Sequence, residues 1–140
     1  MKKTIVSLIT CILIATAIIN PAQAANLEQA PITPLWDNIS QAELILNFPS
    51  NYGEVSVAVS QQSGCDKIET CVTIYRYDRG TWVYIASKSK SVERNILTDV
   101  LTFDQLIDNA MYKAVMDVTV YRDGTSESYT KTTVGTYQKT

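Results

Sequence analysis

The stretch Tyr112-Lys-Ala-Val-Met-Asp-Val-Thr-Val-Tyr-Arg-Asp-Gly-Thr-Ser-Glu-Ser-Tyr-Thr130 decides the fold. Tyr112, Ala114, Met116, Val118 and Val120 recur with period two, the spacing that puts one set of side chains on one face of a β-strand. Arg122-Asp123-Gly124 interrupts the run, and residues 126–134 return as a second strand, so the segment reads as a β-hairpin. Its register depends on the turn. A two-residue loop at Asp123-Gly124 sets Met116 across from Lys131 and Val120 across from Glu127, poor partners for an inward face. A three-residue loop, Arg122 to Gly124 with Gly124 left-handed, flips the parity. Val118 and Val120 then share a face with Ser126, Ser128 and Thr130, while Asp117, Glu127 and Lys131 turn together toward water. The expectation is the three-residue loop with its bulge.

The same period extends upstream. Leu44, Leu46 and Phe48 alternate with Glu43, Ile45 and Asn47, and Val55, Val57 and Val59 alternate with serine and alanine. Residues 71–77 and 81–87 flank Asp78-Arg79-Gly80, and residues 92–101 read as a further strand of poorer alternation. Thr102-Phe-Asp-Gln105 has the form of a capping box opening one helical turn. Seven short strands separated by turn signals predict an all-β protein, a β-sandwich over residues 35–140. Residues 25–34, polar and with two prolines, read as a flexible lead-in.

The N-terminus has the three parts of a cleavable signal peptide: Lys2 and Lys3, an apolar run from Ile5 to Ile19, and Ala22-Gln23-Ala24 after the breaker Asn20-Pro21. The run is short of the roughly 20 residues a membrane span needs, so the expectation is cleavage after Ala24 and a secreted protein with no membrane span after cleavage. Cys11 lies inside the apolar run, which rejects a lipoprotein. Removing 24 of 140 residues leaves 116; taking Lys2 and Lys3 from 12 basic residues leaves 10 against 14 acidic, a net charge of −4. No basic run marks a nucleic-acid binder. Histidine is absent, which removes Ser-His-Asp and Cys-His sites and His-ligated zinc. Two-carboxylate hydrolysis stays formally open. Most acidic residues, such as Asp37, Glu54, Asp66, Asp78, Asp104, Asp108 and Asp123, fall in or beside turns. No enzyme activity, cofactor or metal is therefore expected. The pair Cys65 and Cys71 in an exported domain predicts a disulfide closing a loop of about seven residues, worth on the order of 2.5 kcal/mol.

Leu101-Thr-Phe103 followed by Asp108-x-Ala110-x-Tyr112-x-Ala114 resembles the end of strand E through strand F of an immunoglobulin-like domain. The resemblance implies a tyrosine corner at Asp108 and Tyr112, the Tyr112 hydroxyl bonding back to the preceding loop. Ala114 stands where the inter-sheet cysteine usually sits, and no tryptophan precedes Tyr75-Arg76, so an antibody-type domain is not implied. Over most of the remaining chain, Pro34-Leu-Trp-Asp-Asn-Ile39, Val72-Thr-Ile-Tyr-Arg76, Gly80-Thr-Trp82, Tyr112-Lys-Ala114 and Val120-Tyr-Arg-Asp-Gly-Thr-Ser-Glu-Ser128 resemble small secreted proteins of Gram-positive bacteria that carry a domain of unknown function. The chain departs from that group at Ala110 and in its cysteine pair. The resemblance implies fold and location and transfers no function.

One hairpin concentrates aromatic residues: Tyr75, Tyr77, Trp82 and Tyr84. A four-residue loop, Asp78 to Thr81, sets Tyr77 against Trp82 and Tyr75 against Tyr84, an aromatic ladder suited to sugar rings or a partner protein. A three-residue loop ending at Gly80 changes the parity and sends aromatics into the core; the Asp-Arg-Gly turn suits this second case. Trp36 reads as a plug for the open end of the sandwich, and Asn38-Ile39-Ser40 as an accidental glycosylation sequon. The expected function is that of an exported, non-enzymatic binding module for an extracellular glycan or protein. The alternative is a structural or matrix protein assembling through strand edges, with the Ser/Thr-rich last strand as the edge.

Overall fold

The fold was obtained as a computed structural model that describes residues 37–139. The expected signal peptide, the lead-in and Trp36 lie outside the described residues. Seven strands follow in order: β1 (Ile39–Asn47), β2 (Gly53–Gln61), β3 (Lys67–Asp78), β4 (Thr81–Val92), β5 (Ile96–Phe103), β6 (Met111–Arg122) and β7 (Thr125–Thr136). They form two antiparallel sheets, β1-β2-β5 and β4-β3-β6-β7. β3 and β6 are central strands of one sheet although β4 and β5 lie between them in sequence, which is the crossing-over of an immunoglobulin-like β-sandwich. The expected helical turn is not formed. Thr102 and Phe103 continue β5, and Gln105 takes a positive φ of 60° that ends the strand without starting a helix.

Alternation sets the core. The inward side chains of β6 (Tyr112, Ala114, Met116, Val118, Val120) are all fully buried, opposite Val55, Val57 and Val59 of β2. Each buried Val, Ile or Met contributes about 1.5–3 kcal/mol of apolar transfer. One end is closed by a cluster of rings, with Phe48 and Phe103 each 5.5 Å from Tyr112 and Tyr137 5.7 Å from Phe48. Gly53 makes room for this cluster. A Cβ there would stand 2.1 Å from Phe103 Cζ.

Both long hairpins turn in two residues. Arg79 and Gly80 have φ of 47° and 90°, and Asp123 and Gly124 of 49° and 76°. Two successive left-handed residues make the turn whose twist matches paired strands. This corrects the three-residue loop expected at the last hairpin: Arg122 pairs with Thr125, so Val120 faces Glu127 and Met116 faces Lys131. The charges are tolerated because β7 is an edge strand, where an inward side chain can reach past the core to the opposite sheet. Lys131 Nζ donates to the Ala42 carbonyl at 2.9 Å, and Glu127 Oε2 accepts from the Asn38 backbone N–H at 2.8 Å.

The other open side is closed in the same way. From β4, Lys88 Nζ donates to the Val100 carbonyl (2.9 Å) and to Asp99 Oδ1 (2.8 Å), and Lys90 Nζ donates to the Thr98 carbonyl (2.8 Å). Lysines thus occupy carbonyls on both edges of the smaller sheet. β4 also carries a bulge: Ile74 pairs with Ala86 but Tyr75 with Tyr84, leaving Ile85 as an extra residue.

The expected Cys65–Cys71 disulfide is not formed, and both residues are free thiols. From Lys67 on, the chain to Cys71 is extended β3, and at about 3.3 Å per residue that separation far exceeds the roughly 7 Å between Cα atoms a disulfide can bridge. Cys65 Sγ instead lies 3.8 Å from the Asn38 carbonyl, while Cys71 faces outward from β3.

Candidate functional site

The outward face of the four-stranded sheet brings together most of the residues that the sequence singles out. Tyr77 pairs with Trp82, and Tyr75 with Tyr84. This is the pairing of the aromatic ladder, reached through the two-residue Arg79-Gly80 turn and not through a four-residue loop. The competing parity, with the rings in the core, is not formed: Tyr84 is 59% exposed and Tyr77 44%. Both pairs meet edge to face, Tyr77 and Trp82 at 5.2 Å and Tyr75 and Tyr84 at 6.5 Å between centroids, the arrangement that ring quadrupoles favour.

Lys113 completes the ladder. It is the β6 partner of Tyr75, and its Nζ lies 4.3 Å from the Trp82 ring centroid and 5.0 Å from that of Tyr75. A cation over two ring faces holds them in place and puts a donor at the centre of the patch. Met111 and Val134, 40% and 52% exposed, extend the apolar surface on the β6 and β7 side. These residues stand apart from the hairpin in sequence. Only the β3–β6 register places Lys113 beside Tyr75, and alternation within one strand carries no signal for that.

Toward the other end of the same face lies a shallow depression of about 400 Å³, whose lining includes Glu69, Cys71, Ser89, Ser91, Asp117 and Thr119. Cys71 pairs with Ser89 on one side and Asp117 on the other, so small side chains form the floor. Glu69 accepts from Lys67 and from the Tyr121 hydroxyl, both at 2.7 Å. The Lys67 hydrogen bond, then that of Tyr121, holds the Glu69 carboxyl below its ordinary range; the Glu69 bond in turn raises the pKa of Lys67 and of Tyr121. Asp117 Oδ1 accepts from the Thr130 hydroxyl at 2.6 Å. Two-carboxylate hydrolysis needs one carboxyl kept protonated, and the surroundings of Glu69 act in the opposite sense. What the depression offers is a set of fixed hydrogen-bond acceptors and hydroxyls.

Asp108 and Tyr112 lie at a different place, the ring-closed end of the core. Tyr112 is fully buried and its hydroxyl accepts from the Ile107 backbone N–H at 2.9 Å. Asp108 Oδ1 accepts from the Lys139 backbone N–H at 2.8 Å. Both bonds tie the 104–110 loop to its surroundings, a structural task.

No protein-family model matches the chain, and no curated protein resembles it in sequence. Among solved structures, the catalytically inactive OgpA from Akkermansia muciniphila in complex with an O-glycopeptide substrate is similar at a TM-score of 0.37 and 14% identity. The match covers 77% of this chain and 34% of that one, so the chain spans about a third of its length. A likeness of this size carries no reading of function. Among the described residues no helix is long and apolar enough to cross a membrane.

Proposed function

We propose that this chain is an exported, non-enzymatic binding module that meets its ligand with the aromatic end of the outward face of the β4-β3-β6-β7 sheet. The observation that supports this is the outward ladder of Tyr75, Tyr77, Trp82 and Tyr84 around Lys113, with Tyr77 and Tyr84 exposed and Tyr75 and Trp82 half-buried. Rings left in water forgo the transfer free energy that burial would return, and a contiguous patch of them marks a contact surface. Export rests on the leader-like residues 1–24 and on the resemblance to small secreted proteins of Gram-positive bacteria. The Tyr112 bond to the Ile107 N–H supports reading that turn as a tyrosine corner. Assembly through strand edges is the weaker reading, because Lys131, Glu127, Lys88 and Lys90 turn charge inward along the edges.

The test has two parts. In the Trp36→Phe protein, which isolates Trp82, acrylamide and iodide are expected to quench the fluorescence strongly. On a panel of immobilised glycans and matrix proteins, Trp82→Ala and Tyr84→Ala are expected to abolish retention that the parent shows. A blue-shifted, protected Trp82, or retention indifferent to both substitutions, removes the aromatic face as the site.

A further inference from the structure

Resting on the reading of this face as the binding surface, we infer that its ligand is an uncharged polysaccharide chain lying along β3, stacked on the aromatic ladder at one end and hydrogen-bonded in the Glu69–Asp117 depression at the other. The first ground is continuity. Tyr77, Tyr75, Thr73, Cys71 and Glu69 are successive outward residues of one strand, joining rings to depression. They span about 26 Å of extended chain, room for several sugar units and far more than one. The second ground is charge. Across the outward positions of the four strands the only charged side chains are Lys67, Glu69, Lys113 and Asp117, two of each sign, so the face sums to zero. Lys67 is neutralised by Glu69 and Lys113 is held against rings, leaving no free field to draw a polyanion or a polycation.

The third ground is the polar chemistry between those charges. Serine and threonine fill every outward position of β7 from Ser126 to Thr136 except Val134, and β4 adds Ser87, Ser89 and Ser91. Short hydroxyls that both donate and accept, beside carboxylates that accept, match a ligand covered in hydroxyl groups. Aromatic faces match the apolar C–H face of a pyranose ring. A protein ligand would call for an apolar anchor in a closed pocket, and the depression here is shallow and open, with carboxylates and hydroxyls among its lining residues.

Affinity electrophoresis tests this, with the protein expressed as the full chain and run in native gels containing galactomannan, xyloglucan or hydroxyethylcellulose, against gels with polygalacturonate or hyaluronan. Retardation is expected in at least one neutral gel and to persist in high salt. Trp82→Ala should weaken it about tenfold or more, and Asp117→Asn, which keeps shape and removes the acceptor charge at the far end, should weaken it several-fold. Intrinsic fluorescence spectra of each variant confirm the fold. Retardation in none of the neutral gels overturns the inference, as does retardation only by the polyanions and lost with salt, or loss on Trp82→Ala with Asp117→Asn unchanged. Retention on an immobilised matrix protein that disappears with Trp82→Ala, with no retardation in neutral gels, overturns the glycan assignment and leaves the aromatic face as a binding site. A Trp82 protected from quencher removes both.

Discussion

Replacing Tyr112 by phenylalanine removes one oxygen and leaves the ring. The ring sits fully buried between Phe48 and Phe103, each 5.5 Å away, so its packing is unchanged in the variant. What is lost is the acceptor for the Ile107 N–H, now 2.9 Å from the hydroxyl. A donor left unsatisfied on burial costs about 1–3 kcal/mol. The Ile107 side chain is half in water, which lets solvent approach that amide and places the loss at about 1–2 kcal/mol. The described domain runs from residue 37 to residue 139. At about 2.1 cal/mol/K per residue its unfolding entropy is on the order of 0.2 kcal/mol/K, so Tm should fall by about 5–9 °C. Calorimetry and urea unfolding followed by circular dichroism measure this, and hydrogen exchange reports the Ile107 amide directly. A loss below about 0.5 kcal/mol with Ile107 protection unchanged would refute the claim that this bond anchors the loop.

Further outcomes follow from other contacts. Gly53→Ala drives a Cβ into the Phe103 ring and should cost about 1–3 kcal/mol, read as a lower urea midpoint at unchanged slope. At Asp99 burial pushes the carboxyl pKa up, but the Lys88 hydrogen bond, the Val100 N–H and the charges of Lys88 and Lys90 outweigh it and hold it below its ordinary value. A folded pKa below the unfolded value of about 3.9 stabilises the fold above that pH and is lost as pH falls through the folded value. Asp99→Asn should therefore cost about 0.2–1 kcal/mol at pH 7, the gap from the parent closing in urea titrations between pH 5 and pH 2. Lys131→Met removes the donor on the Ala42 carbonyl and an inward charge from β7, and light scattering should show association at concentrations where the parent is monomeric.

The alternation of Tyr112 to Val120 and of Val55 to Val59 made strands and core legible, because burial on one face writes itself into every second residue. Hairpin parity was harder to read. Placing only the glycine of Asp78-Arg79-Gly80 and Arg122-Asp123-Gly124 in the left-handed region implies three-residue loops; Arg79 and Asp123 enter it too, and the turns shorten. Lys131 and Glu127 looked wrong for an inward face because inward was equated with core, whereas at a sheet edge a long side chain meets unpaired backbone. The aromatic ladder was written as one of two parities. Lys113 and Asp117 joined it only through the β3–β6 pairing, a contact between segments some forty residues apart, whereas Glu69 shares its strand and its outward parity with Tyr75 and Tyr77. The cysteine count pointed to a bond that an extended strand keeps from closing.

The extra residue in β4 has a consequence for how this surface arises and disappears. Beyond the bulge the outward residues of β4 are odd-numbered (Ser87, Ser89, Ser91); on the tip side they are even (Trp82, Tyr84). If Ile85 were paired in a regular ladder, the two parities could not coexist. Tyr75 would then face Ile85, and Trp82 and Tyr84 would turn to the side that Val83 now occupies, while the strand pairs of β3 with β6 and of β6 with β7 would be untouched. The face therefore depends on one residue standing outside the pairing: deleting Ile85 would restore a regular strand with Tyr84 still opposite Tyr75, whereas any change that draws Ile85 into the ladder would turn the rings away.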